Sequence, residues 1–236
     1  MFLTIDPTYY LYALPGLILA IWAAIKVKMT YAKYSDVHTR SGSTGAWVAR
    51  AILDAHGLQH VPVEEIPGEL SDHYDPRAQA LRLSTGVFRS DSVAAVGVAA
   101  HEAGHAIQHA ARYWPMTVRA GLVPVAQWGP MAAIALFMIG AVLAHYGQGG
   151  KSLMMVGLVL FAGAALFSLV TLPVELNASN RAMKLLGSVG VLDAHELPGA
   201  RKVLTAAALT YVAAAVQSLL TLVYYAQMLF GGSRDD

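Results

Sequence analysis

Residues 152–174 read SLMMVGLVLFAGAALFSLVTLPV, with no Asp, Glu, Lys or Arg along the run, and Glu175 follows at once. A helix needs about 20 predominantly apolar residues to cross a bilayer, and helices of soluble cores rarely run that long without a charge. The same reading applies to residues 7–25, 120–150 and 203–233, which are also free of the four charged residue types. Overall, 56% of the chain is hydrophobic and 13% charged, about half the usual charged share of a soluble domain. The shortage is concentrated in these four stretches. They predict four transmembrane helices, at about residues 9–25, 122–145, 153–172 and 203–229. The first reads as a retained anchor rather than a signal peptide, because Lys26 and Lys28 follow its apolar core and no basic residue precedes it.

The spans leave two polar connections, residues 26–119 and 173–202, on one side of the membrane. Together they hold 14 of the 16 Lys and Arg residues; Lys151 and Arg234 fall on the other side. The positive-inside rule puts both connections in the cytoplasm and both termini outside. The expected organisation is a first helix (1–28), a catalytic region (29–119), two helices (120–174), a cytoplasmic segment (175–202) and a last helix with its tail (203–236). No basic cluster suggests nucleic acid. The chain has no cysteine, so disulfides and thiolate-held metals are excluded.

Within the first polar connection, Ser41-Gly42-Ser43-Thr44-Gly45 reads as a turn leading into a helix over residues 45–56, stopped by Gly57. Val61-Pro62-Val63 reads as a short strand, and Leu70 to Pro76 as a turn. Leu81-Arg82-Leu83-Ser84 alternates as a second strand. Ser90-Asp91-Ser92 then opens a helix of about 20 residues that ends near Arg112. This helix is rich in Ala and Gly, so other backbones can approach it closely. Strand Leu81–Ser84 is the candidate for an exposed edge that pairs with a substrate backbone.

The last helix carries His101-Glu102-Ala103-Gly104-His105. Two histidines four residues apart project from one helical face and can share a metal ion, and the adjacent Glu102 is placed to deprotonate a water. A catalytic zinc takes three protein ligands and keeps one position open. His109 continues the same helix, but three ligands from one straight helix spread over about 12 Å of axis, too far for one ion. Glu175 is the better third ligand. A carboxylate at a membrane boundary is costly unless paired or metal-bound, and the Lys and Arg distribution sets it on the same side as His101. His73, in the turn before the second strand, is a candidate to stabilise an oxyanion. His56, His60, His145 and His195 read as loop or edge residues.

Together, Ser71-Asp72-His73-Tyr74-Asp75-Pro76, Leu81-Arg82-Leu83-Ser84, Ala99-Ala100-His101-Glu102-Ala103-Gly104-His105-Ala106-Ile107-Gln108 and Pro173-Val174-Glu175-Leu176-Asn177-Ala178-Ser179 resemble the YugP-like neutral zinc metallopeptidase family along nearly the whole chain. The resemblance implies a membrane-embedded bacterial zinc peptidase acting on a peptide or protein substrate. More distantly the chain is similar to the HtpX and CAAX-processing membrane peptidases. There the ligand Glu is commonly followed by an Asp that orients a zinc-bound His. Here that stretch offers Ser179, Asn180 and Arg181, which leaves Ser179 or Asn177 as weaker hydrogen-bond acceptors.

The expected fold is therefore a mainly α membrane protein: four transmembrane helices with a small α+β zincin-like cytoplasmic domain that carries the histidine helix. Two other functions share the pentad. A site-2-type intramembrane peptidase would hold it within the bilayer, but Asp91 and Arg112 flank this helix and no Asn-Pro-Asp-Gly element is present. A non-catalytic zinc-binding scaffold would have no use for the base Glu102.

Overall fold

The four charge-free stretches fall on four long helices of the computed structural model, which describes residues 7–231, although the second runs on through a turn into the start of the next helix. These are α1 (Pro7–Ser35), α5 (Trp114–Leu143), α6 (Gln148–Ser188) and α7 (Leu197–Gly231). All four are long and apolar enough to cross a membrane. Arg234 and the tail assigned to the outer side lie outside the described residues.

Three of the helices outrun the spans predicted for them at both ends, while α5 starts earlier and stops at Leu143, short of residue 145. At the standard rise, the 41 residues of α6 extend about 60 Å, roughly twice the hydrocarbon thickness. Glu175 thus belongs to the same helix as the apolar run, just beyond Pro173.

Between α1 and α5 lie α2 (Gly45–Ala55), β1 (Val63–Ile66), β2 (His73–Asp75), β3 (Ala80–Ser84), α3 (Thr85–Phe88) and α4 (Val93–Ala110). Helix α2 begins where the small polar run predicts, with the Thr44 hydroxyl accepting from the Trp47 N–H at 3.3 Å. The strand expected around Val61–Val63 forms slightly later, over Val63–Ile66. The expected turn at Leu70–Pro76 contains a strand, β2. Its alternation is too short to read by eye, and it forms because β3 offers it a ladder. The sheet order is β1-β3-β2, with β3 parallel to β1 and antiparallel to β2. Strand Leu81–Ser84 is therefore central, bonded on both sides, and cannot be an exposed substrate-pairing edge. The free edges belong to β1 and β2.

The chain divides into two compact units. The first comprises the described residues 7–22, 118–172 and 210–231. Tyr9 meets Tyr224 edge-on, with ring centroids 5.3 Å apart, while Tyr225 stacks on Phe161 at 4.3 Å and meets Phe137 at 4.7 Å. A Cβ on Gly157 would lie 2.8 Å from the Ala133 carbonyl oxygen, so α5 and α6 touch backbone to backbone there.

The second unit is Ala23–Thr117 with Pro173–Leu209. Its core gathers Val48, Ile52 and Leu53 of α2, Leu81 and Leu83 of β3, Val96, Ala99, Ala100 and Ala103 of α4, and Leu186, Ala200 and Leu204. The alanines of α4 are buried almost all round, which lets α2, the sheet and the end of α6 converge on one thin helix. All the residues considered next lie in this unit.

Candidate metal centre

Helix α4 starts at Ser92, whose hydroxyl accepts from the Ala95 N–H at 3.2 Å. Two turns later it presents His101 and His105 on one face, their rings edge-on with centroids 4.7 Å apart. Glu175 reaches them from α6. Its Oε2 lies 3.2 Å from His101 Nε2 and 3.4 Å from His105 Nε2. The three candidate ligand atoms all fall within 4.8 Å of one another. Ligand atoms set tetrahedrally at zinc–nitrogen and zinc–oxygen distances stand about 3.3–3.5 Å apart, so the two measured spacings fit one zinc ion. The donor set fits too: two imidazoles and one carboxylate, as in a hydrolytic zinc site with a position left open.

The residues between the histidines make this convergence possible. A Cβ on Gly104 would lie 2.9 Å from the Ala178 carbonyl oxygen and 3.4 Å from its Cα. Helix α4 therefore rests against the backbone of α6 one turn past Glu175. Any side chain at 104 would push the carboxylate away from the imidazoles.

Each imidazole has a partner on its other nitrogen. Ser179 Oγ lies 3.1 Å from His101 Nδ1, and Gln108 Oε1 lies 3.0 Å from His105 Nδ1. The Gln108 Nε2 donates to the Val174 carbonyl at 2.8 Å and to Asn177 Oδ1 at 2.9 Å, and Arg181 Nε donates to the same Asn177 oxygen at 2.8 Å. Both acceptors beside the imidazoles are therefore neutral. Ser179 holds the position expected for it, and Asn177 acts one step removed, through Gln108. Burial disfavours the charged form of His105, but the hydrogen bond to Glu175, the charges of Glu102 and Glu175, and the bond to Gln108 together raise its pKa above the ordinary histidine value.

Glu102 points to the sheet side of α4. Its Oε2 accepts the Tyr74 N–H at 3.0 Å, a donor that edge strand β2 does not spend on β3. The Tyr74 hydroxyl exchanges a hydrogen bond of 2.9 Å with His109 Nδ1. Burial, with the charge of Asp75, pushes the Tyr74 phenol up, so it stays protonated. One residue of β2 thus binds α4 twice, by backbone at Glu102 and by side chain at His109. The end of the strand is pinned by Asp75, which the Ala78 N–H, the Arg82 guanidinium and the Arg77 N–H hold below the usual carboxylate range.

A family model described as "Putative neutral zinc metallopeptidase" matches residues 9–230. The chain belongs to that family. Among curated proteins it is 45% identical over 218 residues to the "Putative membrane protease YugP" of Bacillus subtilis (strain 168), covering 92% of this chain and 94% of the relative. No solved structure matches it. Family and relative agree with what the geometry offers: a zinc peptidase family, a multi-pass membrane chain, and a buried His, His and Glu cluster able to hold the metal.

Of the residues singled out from sequence, His101, His105 and Glu175 come together, with Glu102 beside them. His109 stands apart from the cluster, paired with Tyr74. His73 is exposed and its Nδ1–H donates to the Ser71 carbonyl at 2.8 Å. Strand alternation turns it to the opposite face of β2 from the Tyr74 side chain. His56, His60, His145 and His195 are all exposed. Sequence reasoning missed two residues. Gln108 had a usable signal, since it lies three residues after His105 and so shares its helical face. Tyr74 had none, because its contact to Glu102 is made by backbone.

Proposed function

We propose that this chain is a membrane-bound zinc endopeptidase whose metal is held by His101, His105 and Glu175 and whose general base is Glu102. The observation that carries this reading is the convergence of the two Nε2 atoms on Glu175 Oε2 with the Glu102 carboxylate fixed alongside. Zinc, when bound, supplies a Lewis acid that polarises a peptide carbonyl and makes water acidic near neutrality. Glu102 takes a proton from the water that attacks the carbonyl carbon and hands it to the departing amine nitrogen, leaving a carboxylate and an amine. The Tyr74 N–H holds Oε2 of that carboxylate, which leaves Oε1 as the oxygen assigned to the proton. The His101 side chain keeps 13% of its surface exposed, against 9% for His105 and 3% for Glu175.

A Glu102→Gln variant tests the base. Purified in lipid nanodiscs, it is expected to keep one zinc per chain by elemental analysis and to cleave quenched peptides at least about 100-fold more slowly. Retained cleavage sinks the assignment.

The Lys and Arg distribution supports a site open to the cytoplasm. The absence of native cysteine makes that reading simple to check. A single cysteine at Glu69 should be reached by a membrane-impermeant maleimide only after the cell is opened, and one at Gly149 in intact spheroplasts. The reverse pattern inverts the topology.

A further inference from the structure

Gln108 is a wholly buried polar side chain that the hydrolysis described above does not use, and its surroundings fix which way its amide must point. The guanidinium of Arg181 can only donate, and its Nε lies 2.8 Å from Asn177 Oδ1. That sets the oxygen of Asn177 toward Arg181, where Gln108 Nε2 meets it at 2.9 Å. The Val174 carbonyl, which can only accept, lies 2.8 Å from the same Nε2. Both N–H groups of Gln108 are thereby committed to α6. The atom 3.0 Å from His105 Nδ1 must be the amide oxygen. An amide oxygen cannot donate, so Nδ1 carries a hydrogen, and Nε2, the atom 3.4 Å from Glu175 Oε2, is the nitrogen left to face a metal.

We propose that Gln108 is a positioning residue that sets the tautomer and ring orientation of His105, so that Nε2 faces the metal, with the polarity imposed from α6 by Arg181, Asn177 and Val174. This inference rests on the reading of His105 as a zinc ligand. The hydrogen-bond sequence gives the metal site a one-way address: a donor-only cation on one helix dictates which nitrogen is free on the other. It also replaces a carboxylate partner by a neutral amide. A carboxylate would make the imidazole a more basic ligand; the amide fixes the ring while leaving more of the metal's Lewis acidity for the substrate.

Two variants separate this role from a simple tie between α4 and α6. Gln108→Glu keeps an acceptor opposite Nδ1 and loses both donors to α6; Gln108→Met loses acceptor and donors together. The first measurement is on zinc-loaded protein with 13C,15N-labelled histidine in nanodiscs, the His105 signals being assigned from a His105→Asn spectrum. Wild type and Gln108→Glu are expected with the hydrogen on Nδ1 and Nε2 on the metal, and Gln108→Met with a substantial share of the Nε2–H form. The second is zinc affinity by chelator competition. Gln108→Met should bind about 10–100-fold more weakly, and Gln108→Glu should lose less than Gln108→Met.

An Nε2–H tautomer in the wild-type protein overturns the proposal, and that measurement stands even if Gln108→Met does not fold. Equal losses in the two variants also overturn it, because they would mark Gln108 as a tie alone. If His105→Asn binds zinc as tightly as wild type, the ligand reading itself fails, whatever the Gln108 variants do.

Discussion

The two units of this chain show opposite kinds of surface. In the apolar unit, large hydrophobic side chains face outward: Leu11 is 73% exposed and Val159 62%, with Ile18, Trp128 and Met131 similar. Inside it lie the glycine contact between α5 and α6 and the buried rings of Phe137 and Phe161. The other unit reverses this. Val48, Leu53, Leu81 and Leu83 are wholly buried, and charges are paired at its surface, with Arg82 between Glu64 and Asp75 and Arg89 on Glu65. Each unit exposes what its surroundings accept, lipid in one case and water in the other. The metal centre is the exception within the second unit. Its buried histidine and carboxylates, among the described residues, are Glu102, His105 and Glu175. On the proposed function, charge is buried there because a metal and a reaction need it.

That contrast can be broken by substitution, and the largest effect is expected at the exception. Glu175→Ala leaves two facing imidazoles without their carboxylate. Zinc affinity should fall by more than about 100-fold, beyond what loss of an outer hydrogen-bond partner costs; a smaller loss in chelator competition would remove Glu175 from the ligand set. A more modest effect separates the two exteriors. Val159→Arg, on the outward face of α6, should cost about 2.5–3.5 kcal/mol in a membrane-insertion assay. Val37→Arg, exposed in the second unit, should cost less than about 0.5 kcal/mol of stability. Equal costs would mean that both surfaces meet the same solvent. The smallest of the three is Gly104→Ala, whose added methyl meets the Ala178 carbonyl at 2.9 Å. Overpacking of this kind costs about 1–3 kcal/mol. Here it should show as a lower unfolding temperature and weaker zinc binding together, since the displaced segment carries Glu175.

Much of this is legible in the sequence. The four apolar helices follow from runs without charge, because lipid tolerates little else over that length. The helix with His101 and His105 follows from spacing and its Ser92 cap. Glu175 could be singled out because a lone carboxylate at the end of an apolar run needs a partner. The sheet was less readable. Three short strands give little alternation to read, so β2 passed for a turn and β3 for an edge. Both errors come from pairing, which depends on residues far apart in the chain.

The sequence by itself determined which residues could hold a metal and which stretches must leave water, since both follow from residue chemistry and local period. Tertiary structure decided the rest: that Glu175 Oε2 meets both Nε2 atoms, that Gly104 lets α6 come close enough, that Tyr74 gives its backbone N–H to Glu102, and that Gln108 faces His105 with its oxygen. The physical reason is directional. A hydrogen bond or a ligand contact is set to within a few tenths of an ångström by packing between helices some 70 residues apart, and no local pattern carries that distance.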